Sequence, residues 1–128
     1  MIIPMLTCQD ALAEIDFCKK VFGAIELSRR EGERGNIIHA TLKIDETLLM
    51  IHGEVSHLAS RHPEQDGSSP VVIYLYGLEV DTVIARAVSE KAKVLLPAED
   101  QFWGDRVGRI MDPAGHVWNI AARINNEN

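Results

Sequence analysis

An internal repeat constrains the fold of this chain more than any other feature. Identical residues recur at an offset of 69, and the identical pairs are Leu6 and Leu75, Ile15 and Ile84, Leu27 and Leu96, Gly35 and Gly104, and Ile51 and Ile120. Strand-like and helix-like patterns recur between these pairs at matching places, without a gap. A sequence that encodes the same succession of elements twice predicts two similar modules in tandem.

Each half predicts a strand, a helix and three further strands. Apolar residues at helical spacing predict a helix over 11–22. Asp10 is a suitable N-cap, because its side chain can accept from an amide of the first turn, and Gly23 is a suitable C-terminal stop. A second apolar stripe over 80–87 predicts a helix that begins near Asp81. The predicted strands are 2–7, 24–29, 37–44 and 47–52 in the first half, and 71–76, 94–96, 107–111 and 117–121 in the second.

Composition narrows the class of protein. The chain has 128 residues, of which 46% are hydrophobic and 25% charged, as in an ordinary single globular domain. Its net charge of -6 argues against nucleic acid as a partner, because phosphate binding needs a basic face. No apolar run is long enough to cross a membrane, and the N-terminus does not resemble a signal peptide. We therefore expect a cytoplasmic protein in which Cys8 and Cys18 are reduced.

Three local segments carry a resemblance to a known family. They are Asp10-Ala11 through Phe22-Gly23-Ala24, Phe102-Trp103-Gly104-Asp105-Arg106, and Asp112-Pro113-Ala114-Gly115-His116-Val117-Trp118. With the tandem βαβββ pattern, they resemble the vicinal oxygen chelate superfamily of glyoxalases, bleomycin resistance proteins and dioxygenases, and especially its PhnB-like subgroup. The resemblance implies one α+β domain in which module one (1–54), a polar linker (55–70) and module two (71–123) form a curled mixed sheet with a cleft. It also implies a homodimer.

Side chains of a strand alternate between its faces, so parity predicts which residues face the implied cleft. Parity within each strand, and the constant offset between the modules, place Arg106 and Gly108 on the cleft side. The cleft is then apolar with a few polar groups, which suits a small organic molecule. The predicted ligand-binding residues are His39, Met50, His52, Tyr74, Tyr76, Trp103, Arg106 and Asn119.

Several of these residues have an alternative interpretation. Trp103 is either a lid that stacks on a ligand or a cover for a sheet edge or dimer contact. Arg106 either clamps a carboxylate or phosphate or pairs with Asp105 or Glu99. Tyr76 either donates to a ligand or packs at the rim.

The resemblance implies a divalent metal bound at the first and fourth strands of each module. The corresponding residues are Ile3, Met50, Val72 and Asn119. None of the first three can ligate a hard or borderline ion, so we expect no metal at these positions and no cofactor. A relocated site would need His39 and His52, with Glu54 or His57 as a further ligand.

Two classes of function follow from these expectations. The first is a metal-free binding protein of the bleomycin resistance type, whose homodimer holds an aromatic or cationic small molecule near Trp103 and Tyr74. The second is an enzyme, lyase-like or dioxygenase-like, that uses a relocated metal or takes His39 or His52 as a general base. The sequence identifies no catalytic residue and no ligand.

Overall fold

A computed structural model of the chain describes residues 1–54 and 59–124. The chain divides into two compact units, residues 1–65 and 66–128. Each unit contains one helix and four strands, in the order β1 (Met5–Cys8), α1 (Ala11–Phe22), β2 (Ile25–Glu31), β3 (Ile37–Ile44), β4 (Thr47–Gly53), β5 (Val72–Tyr76), α2 (Val80–Ser89), β6 (Lys93–Asp100), β7 (Asp105–Met111) and β8 (Val117–Arg123). Neither helix is long and apolar enough to cross a membrane.

The first unit is a four-stranded mixed sheet with α1 on one face. Its strand order is β1-β4-β3-β2, with β1 and β4 parallel and the other pairs antiparallel. The buried apolar side of α1 packs on the sheet, and Ile15 and Val21 are fully buried. The sheet supplies Leu42 and Ile51, which are also fully buried. The core of this unit therefore lies between helix and sheet.

The predicted limits of α1 are confirmed. The Asp10 side chain accepts from the amide of Ala13, 3.0 Å away. Gly23 ends the helix with φ of 70°, a left-handed conformation that glycine adopts without steric cost. Helix α2 begins at Val80, close to the predicted start, with the Glu79 side chain as its N-cap.

The second unit repeats this arrangement. Its strand order is β5-β8-β7-β6, and α2 packs against β6, β7 and β8. Trp118, Ile110 and Ile120 are buried beneath the helix. The buried carboxylate of Asp112 accepts from the Trp118 indole at 2.8 Å and from the backbone amides of Ala114 and His116. This carboxylate fixes the turn between β7 and β8.

The outer strand pairs repeat with the offset seen in the sequence. Met5 of β1 lies opposite Met50 of β4, and Tyr74 of β5 lies opposite Asn119 of β8. The prediction of an α+β fold built from two tandem βαβββ modules is thus confirmed. The strands of each module form a separate four-stranded sheet. Strand β6 is longer than predicted, because it continues through two irregularities as far as Asp100.

The third strand of each module breaks the constant offset. In the first unit, Ile37 pairs with Glu31 of β2 and His39 pairs with the adjacent Arg30. Ile38 is therefore an extra residue between two successive pairs. At the corresponding place β7 has no extra residue, because the adjacent Arg106 and Val107 pair with the adjacent Asp100 and Glu99 of β6.

A longer turn restores the offset afterwards. Lys43 pairs with Leu48 in the first unit, whereas Met111 pairs with Val117 in the second, so the second connection is one residue longer. The two changes cancel in the sequence. Between them, from Val107 to Met111, each residue of β7 lies one position earlier than the offset predicts, so Val107 takes the place of His39. A shift of one residue moves a side chain to the other face of a sheet.

Candidate functional site

The far face of each sheet, defined as the face turned away from its helix, contains most of the predicted site residues. In the second unit, one cross-strand row on this face runs through Tyr74, Asn119, Arg109 and Leu96. Directly paired residues point to the same side, so these four side chains stand next to one another. The next row runs through Tyr76, Ala121, Val107 and Glu99.

A cavity lies over these two rows. Its volume is about 380 Å³, which is in the range of pockets for small organic molecules. The lining residues are Tyr74, Leu96, Pro97, Glu99, Gln101, Trp103, Val107, Gly108 and Asn119. The cavity is therefore mainly apolar and aromatic, with an amide at its floor and one acidic side chain at its wall. Tyr74, Trp103 and Asn119 were predicted from the sequence as ligand-binding residues and Gly108 as a cleft residue, whereas the other lining residues were not predicted.

A hydrogen-bonded bracket fixes the aromatic wall of the cavity. The Trp103 indole donates to Asp105 at 3.1 Å, and the Tyr76 hydroxyl donates to the other oxygen of the same carboxylate at 2.7 Å. Because the Asp105 carboxylate favours the protonated phenol, it raises the pKa of Tyr76. Tyr76 therefore acts on the cavity through Asp105 and Trp103. Its predicted place near the rim agrees with this contact.

The prediction that Arg106 and Gly108 point to the far face is wrong. Arg106 donates to both carboxylate oxygens of Asp81, in the first turn of α2, at 2.9 and 3.0 Å. It also donates to Asp100 at 3.0 Å, and these two partners raise the pKa of Arg106. A Cβ at Gly108 would lie 2.5 Å from Ile84 of α2. Regular alternation along β7 puts both residues on the helix side with Ile110, although the backbone of Gly108 also lines the cavity. In β3 the extra residue Ile38 sets Ile37 and His39 on opposite faces, so the prediction from their shared parity did not hold.

Arg109 is instead the cationic side chain on the far face, next to residues that line the cavity. It stands in one row between Leu96 and Asn119, and both of these residues line the cavity. Its Nε donates to Asn119 Oδ1 at 2.7 Å, and its side chain is half-buried. It forms no ion pair with another described residue. Parity counted backwards from the apolar Ile110 would have placed Arg109 on the far face.

A pair of histidines dominates the far face of the first sheet. His39 and His52 pair across β3 and β4, and their ring centroids lie 5.7 Å apart with the rings nearly perpendicular. Burial lowers the pKa of His39, and the neighbouring His52 and Arg30 lower it further. His52 is buried, and its Nδ1 lies 2.7 Å from the carbonyl oxygen of Gly53. A donated Nδ1–H there leaves Nε2 with a free lone pair.

Met50 lies in the next row of the same face, between Thr41 and Met5. The parity prediction thus placed the three first-module residues, His39, Met50 and His52, on the correct face.

One proposed partner of the histidine pair is engaged elsewhere. The Glu54 carboxylate accepts from the backbone amide of His62 at 2.8 Å and also contacts the His62 ring. These contacts lower the pKa of Glu54. His57, the other suggested ligand, lies outside the described residues.

Comparison with protein families identifies the relationship. A model of the Glyoxalase/Bleomycin resistance protein/Dioxygenase superfamily matches residues 3–120. The chain belongs to this superfamily. Its match covers both βαβββ units, as the sequence resemblance indicated.

The chain is similar in sequence to uncharacterized proteins and in fold to several solved structures. An uncharacterized protein of Mycobacterium bovis is 38% identical over 128 residues, covering 98% of this chain and 84% of its own length. The crystal structure of TioX from Micromonospora sp. ML1 has a TM-score of 0.72 at 23% identity, covering 100% of this chain and 99% of TioX. A PhnB protein from Bacillus cereus has a TM-score of 0.72 at 19% identity, covering 94% of this chain and 98% of that one. At these identities the two structures show a shared fold.

The metal that the superfamily resemblance implies does not fit the corresponding residues. Ile3 and Val72 carry hydrocarbon side chains, and Met50 carries a thioether. Only Asn119 offers an oxygen, and that oxygen accepts from the Arg109 guanidinium. A positive side chain beside the single hard donor opposes a second cation there.

Proposed function

We propose that this protein binds a small organic molecule in the cavity on the far face of the second sheet, without a divalent metal at the superfamily positions. The observation that carries the proposal is the cavity itself, with its aromatic wall and a few polar groups. Burial of a flat apolar body against Trp103 and Tyr74 would supply most of the affinity, and Asn119 would orient the ligand.

The orientation of Trp103 supports this role over a cover for a sheet edge. Its indole N–H is held by Asp105, and the side chain remains 50% exposed, so the ring borders the cavity with surface available to a ligand. Trp118 is 1% exposed and donates to Asp112 within the core. Quenching of tryptophan fluorescence by a ligand therefore reports on Trp103.

The test is a ligand screen by thermal shift and fluorescence quenching. A ligand that binds only the folded protein stabilises it by RT ln(1 + [L]/Kd), so the melting temperature rises with ligand concentration. For any hit, Trp103→Ala should weaken binding about tenfold or more, because it removes the aromatic wall. Val88→Ala, an exposed position on α2, is the matched control and should leave binding unchanged. Hits that bind wild type and Trp103→Ala equally would contradict this cavity as the site.

The histidine pair on the first sheet supports a second candidate, an enzyme that uses His39 or His52 as a general base or metal ligand. The lowered pKa keeps His39 neutral at neutral pH, as a base or a ligand requires. Turnover that His39→Ala and His52→Ala leave unaffected would exclude the general base, and elemental analysis after incubation with Zn, Mn, Ni and Fe tests the metal ligand. Stoichiometric metal that His39→Ala and His52→Ala abolish would favour the enzyme. A metal-free protein would direct the search to the cavity.

Homodimerisation and a cytoplasmic location complete the proposal. Strands β2 and β6 are edge strands, and exposed apolar residues lie on both, including Ile25 and Val94. Exposed edges with apolar side chains favour association. Light scattering should give twice the mass of the 14.2 kDa chain. In a cytoplasmic location the two buried thiols, Cys8 and Cys18, would be kept reduced.

A further inference from the structure

The charge on Arg109 points to the class of ligand that the cavity accepts. We propose that Arg109 is an anion anchor, and that the ligand of the cavity is an aromatic carboxylate whose acid group pairs with this guanidinium. The inference rests on the proposed function, since it assumes that the cavity binds a small molecule. It keeps the aromatic ligand expected from the sequence as one alternative, and gives that ligand an anionic group in place of the cationic alternative.

The contrast between two arginines of one strand supports the assignment. On the helix side of β7, Arg106 has two carboxylate partners that neutralise its charge. On the far face, Arg109 has the neutral amide of Asn119 as its hydrogen-bond acceptor. That bond uses Nε and fixes the plane of the guanidinium, while the terminal nitrogens retain donors for a ligand. A half-buried cation with no counter-ion among the described residues of its unit is a preorganised partner for an anion.

The position of Arg109 also defines the ligand body. Its row places Leu96 on one side and Asn119 with Tyr74 on the other, and Trp103 completes the lining above the neighbouring row. A planar carboxylate matches the fork of a guanidinium with two parallel hydrogen bonds. An aromatic ring attached to that carboxylate would then lie against Trp103 or Tyr74.

The acidic side chains near the cavity do not reverse this preference. Glu99 is exposed, so solvent and salt screen its charge. The Asp105 carboxylate accepts from Tyr76 and Trp103, which disperses its charge into two hydrogen bonds. Arg109 is half-buried, where a charge acts more strongly on a bound partner. One cation beside an acidic residue also favours a monoanionic carboxylate over a phosphate dianion.

The experiment compares three probes that share one aromatic body: 1-naphthoate, the neutral 1-naphthamide and the cationic 1-naphthylmethylammonium. Dissociation constants are measured by calorimetry and Trp103 quenching. We expect naphthoate to bind about tenfold or more tightly than the amide, as a charge-assisted pair of hydrogen bonds allows. Arg109→Gln should abolish this preference while leaving binding of the amide within about twofold. Arg106→Gln removes the same charge from the other face and should preserve the preference.

A second variant keeps the test valid if Arg109→Gln does not fold, as judged by circular dichroism. Asn119→Asp leaves Arg109 in place and offers it a carboxylate, so it should reduce naphthoate binding about tenfold. Equal binding of the three probes, or preference for the ammonium, would overturn the anchor and leave the cavity as a binding site. Failure of all three probes to bind at their solubility limits would contradict the proposed function as well.

Discussion

The far faces of the two sheets differ in chemistry although their strands share order and outer register. The first presents His39, His52 and Met50, and the second presents a cavity with Tyr74 and Trp103. Buried cores beneath both sheets are made of similar apolar residues. Packing against the helix therefore fixes the backbone of each module, whereas the residues that face away from the helix can differ and take on different roles.

The largest expected effect concerns the turn that only the second unit builds around a buried acid. Asp112→Asn should lower the free energy of unfolding by about 2–3 kcal/mol, because the amide places a donor against the donors that Asp112 now accepts from. Asp45→Asn, in the exposed turn of the first unit, should change it by less than about 0.5 kcal/mol. Urea unfolding measures both. Equal effects would remove this difference between the units.

The next largest effect is expected from a substitution at Gly108, which lies in β7 close to α2. Gly108→Ala should destabilise the protein by about 1–3 kcal/mol, because the new Cβ lies 2.5 Å from Ile84 and 3.2 Å from the backbone of Ala98. Ala40 holds the corresponding place in the first unit, opposite Ile51 as Gly108 is opposite Ile120. Ala40→Gly should cost about 1 kcal/mol in the opposite exchange. A neutral Gly108→Ala in urea unfolding would contradict the register assigned to β7.

A titrating histidine in the first unit should make the stability of the protein depend on pH. The folded pKa of His39 is lowered, so below its ordinary value of about 6.5 the unfolded chain takes up a proton that the folded chain resists. Stability should therefore fall as pH drops through that range. His39→Gln should flatten the dependence of the urea midpoint between about pH 7.5 and 5.5. Val107 occupies the equivalent place in the second unit and does not titrate. An unchanged slope would show that another group is responsible.

The smallest effect is spectroscopic. In a Tyr74→Phe background, Tyr76 is the remaining tyrosine, and its pKa should lie above the ordinary value of about 10. Asp105→Asn should return it towards that value, because the negative acceptor is removed. Ultraviolet titration measures the change. A pKa of Tyr76 that is indifferent to Asp105→Asn would show that the bracket beside the cavity does not form.

The sequence predicted the helices and strands well because the helical and the strand spacing of apolar residues both occur in each half of the chain. The apolar stripe of α1, its cap at Asp10 and its stop at Gly23 are local signals, and the structure contains all three. The parity of β4, β5 and β8 was also reliable, since those strands pair in a regular register. Tyr74 and Asn119 were thereby found, whereas Trp103 was found as an aromatic residue before Gly104 that could stack on a ligand.

The error at Arg106 arose because the prediction relied on Ile37, which the extra residue Ile38 sets on the opposite face from His39. The errors at Gly108 and Arg109 have a second physical cause, which the aligned repeat concealed. The extra residue at Ile38 and the longer turn at Asp112 compensate each other, so the offset is the same before and after β7 but not within it. Pairing registers depend on contacts between strands, which the sequence of one strand does not contain. Arg109 was missed for that reason. The lining residues of β6 were missed because the strand passes through irregularities near Leu96.

The most direct test of the account is an amide shift map of the protein during titration with 1-naphthoate. Shifts should concentrate on the second unit, at Tyr74, Asn119, Arg109 and the Trp103 indole. The signals of His39, His52 and Met50 should remain unchanged. Shifts centred on the histidine pair, with none at Trp103, would contradict the assignment of binding to the second unit.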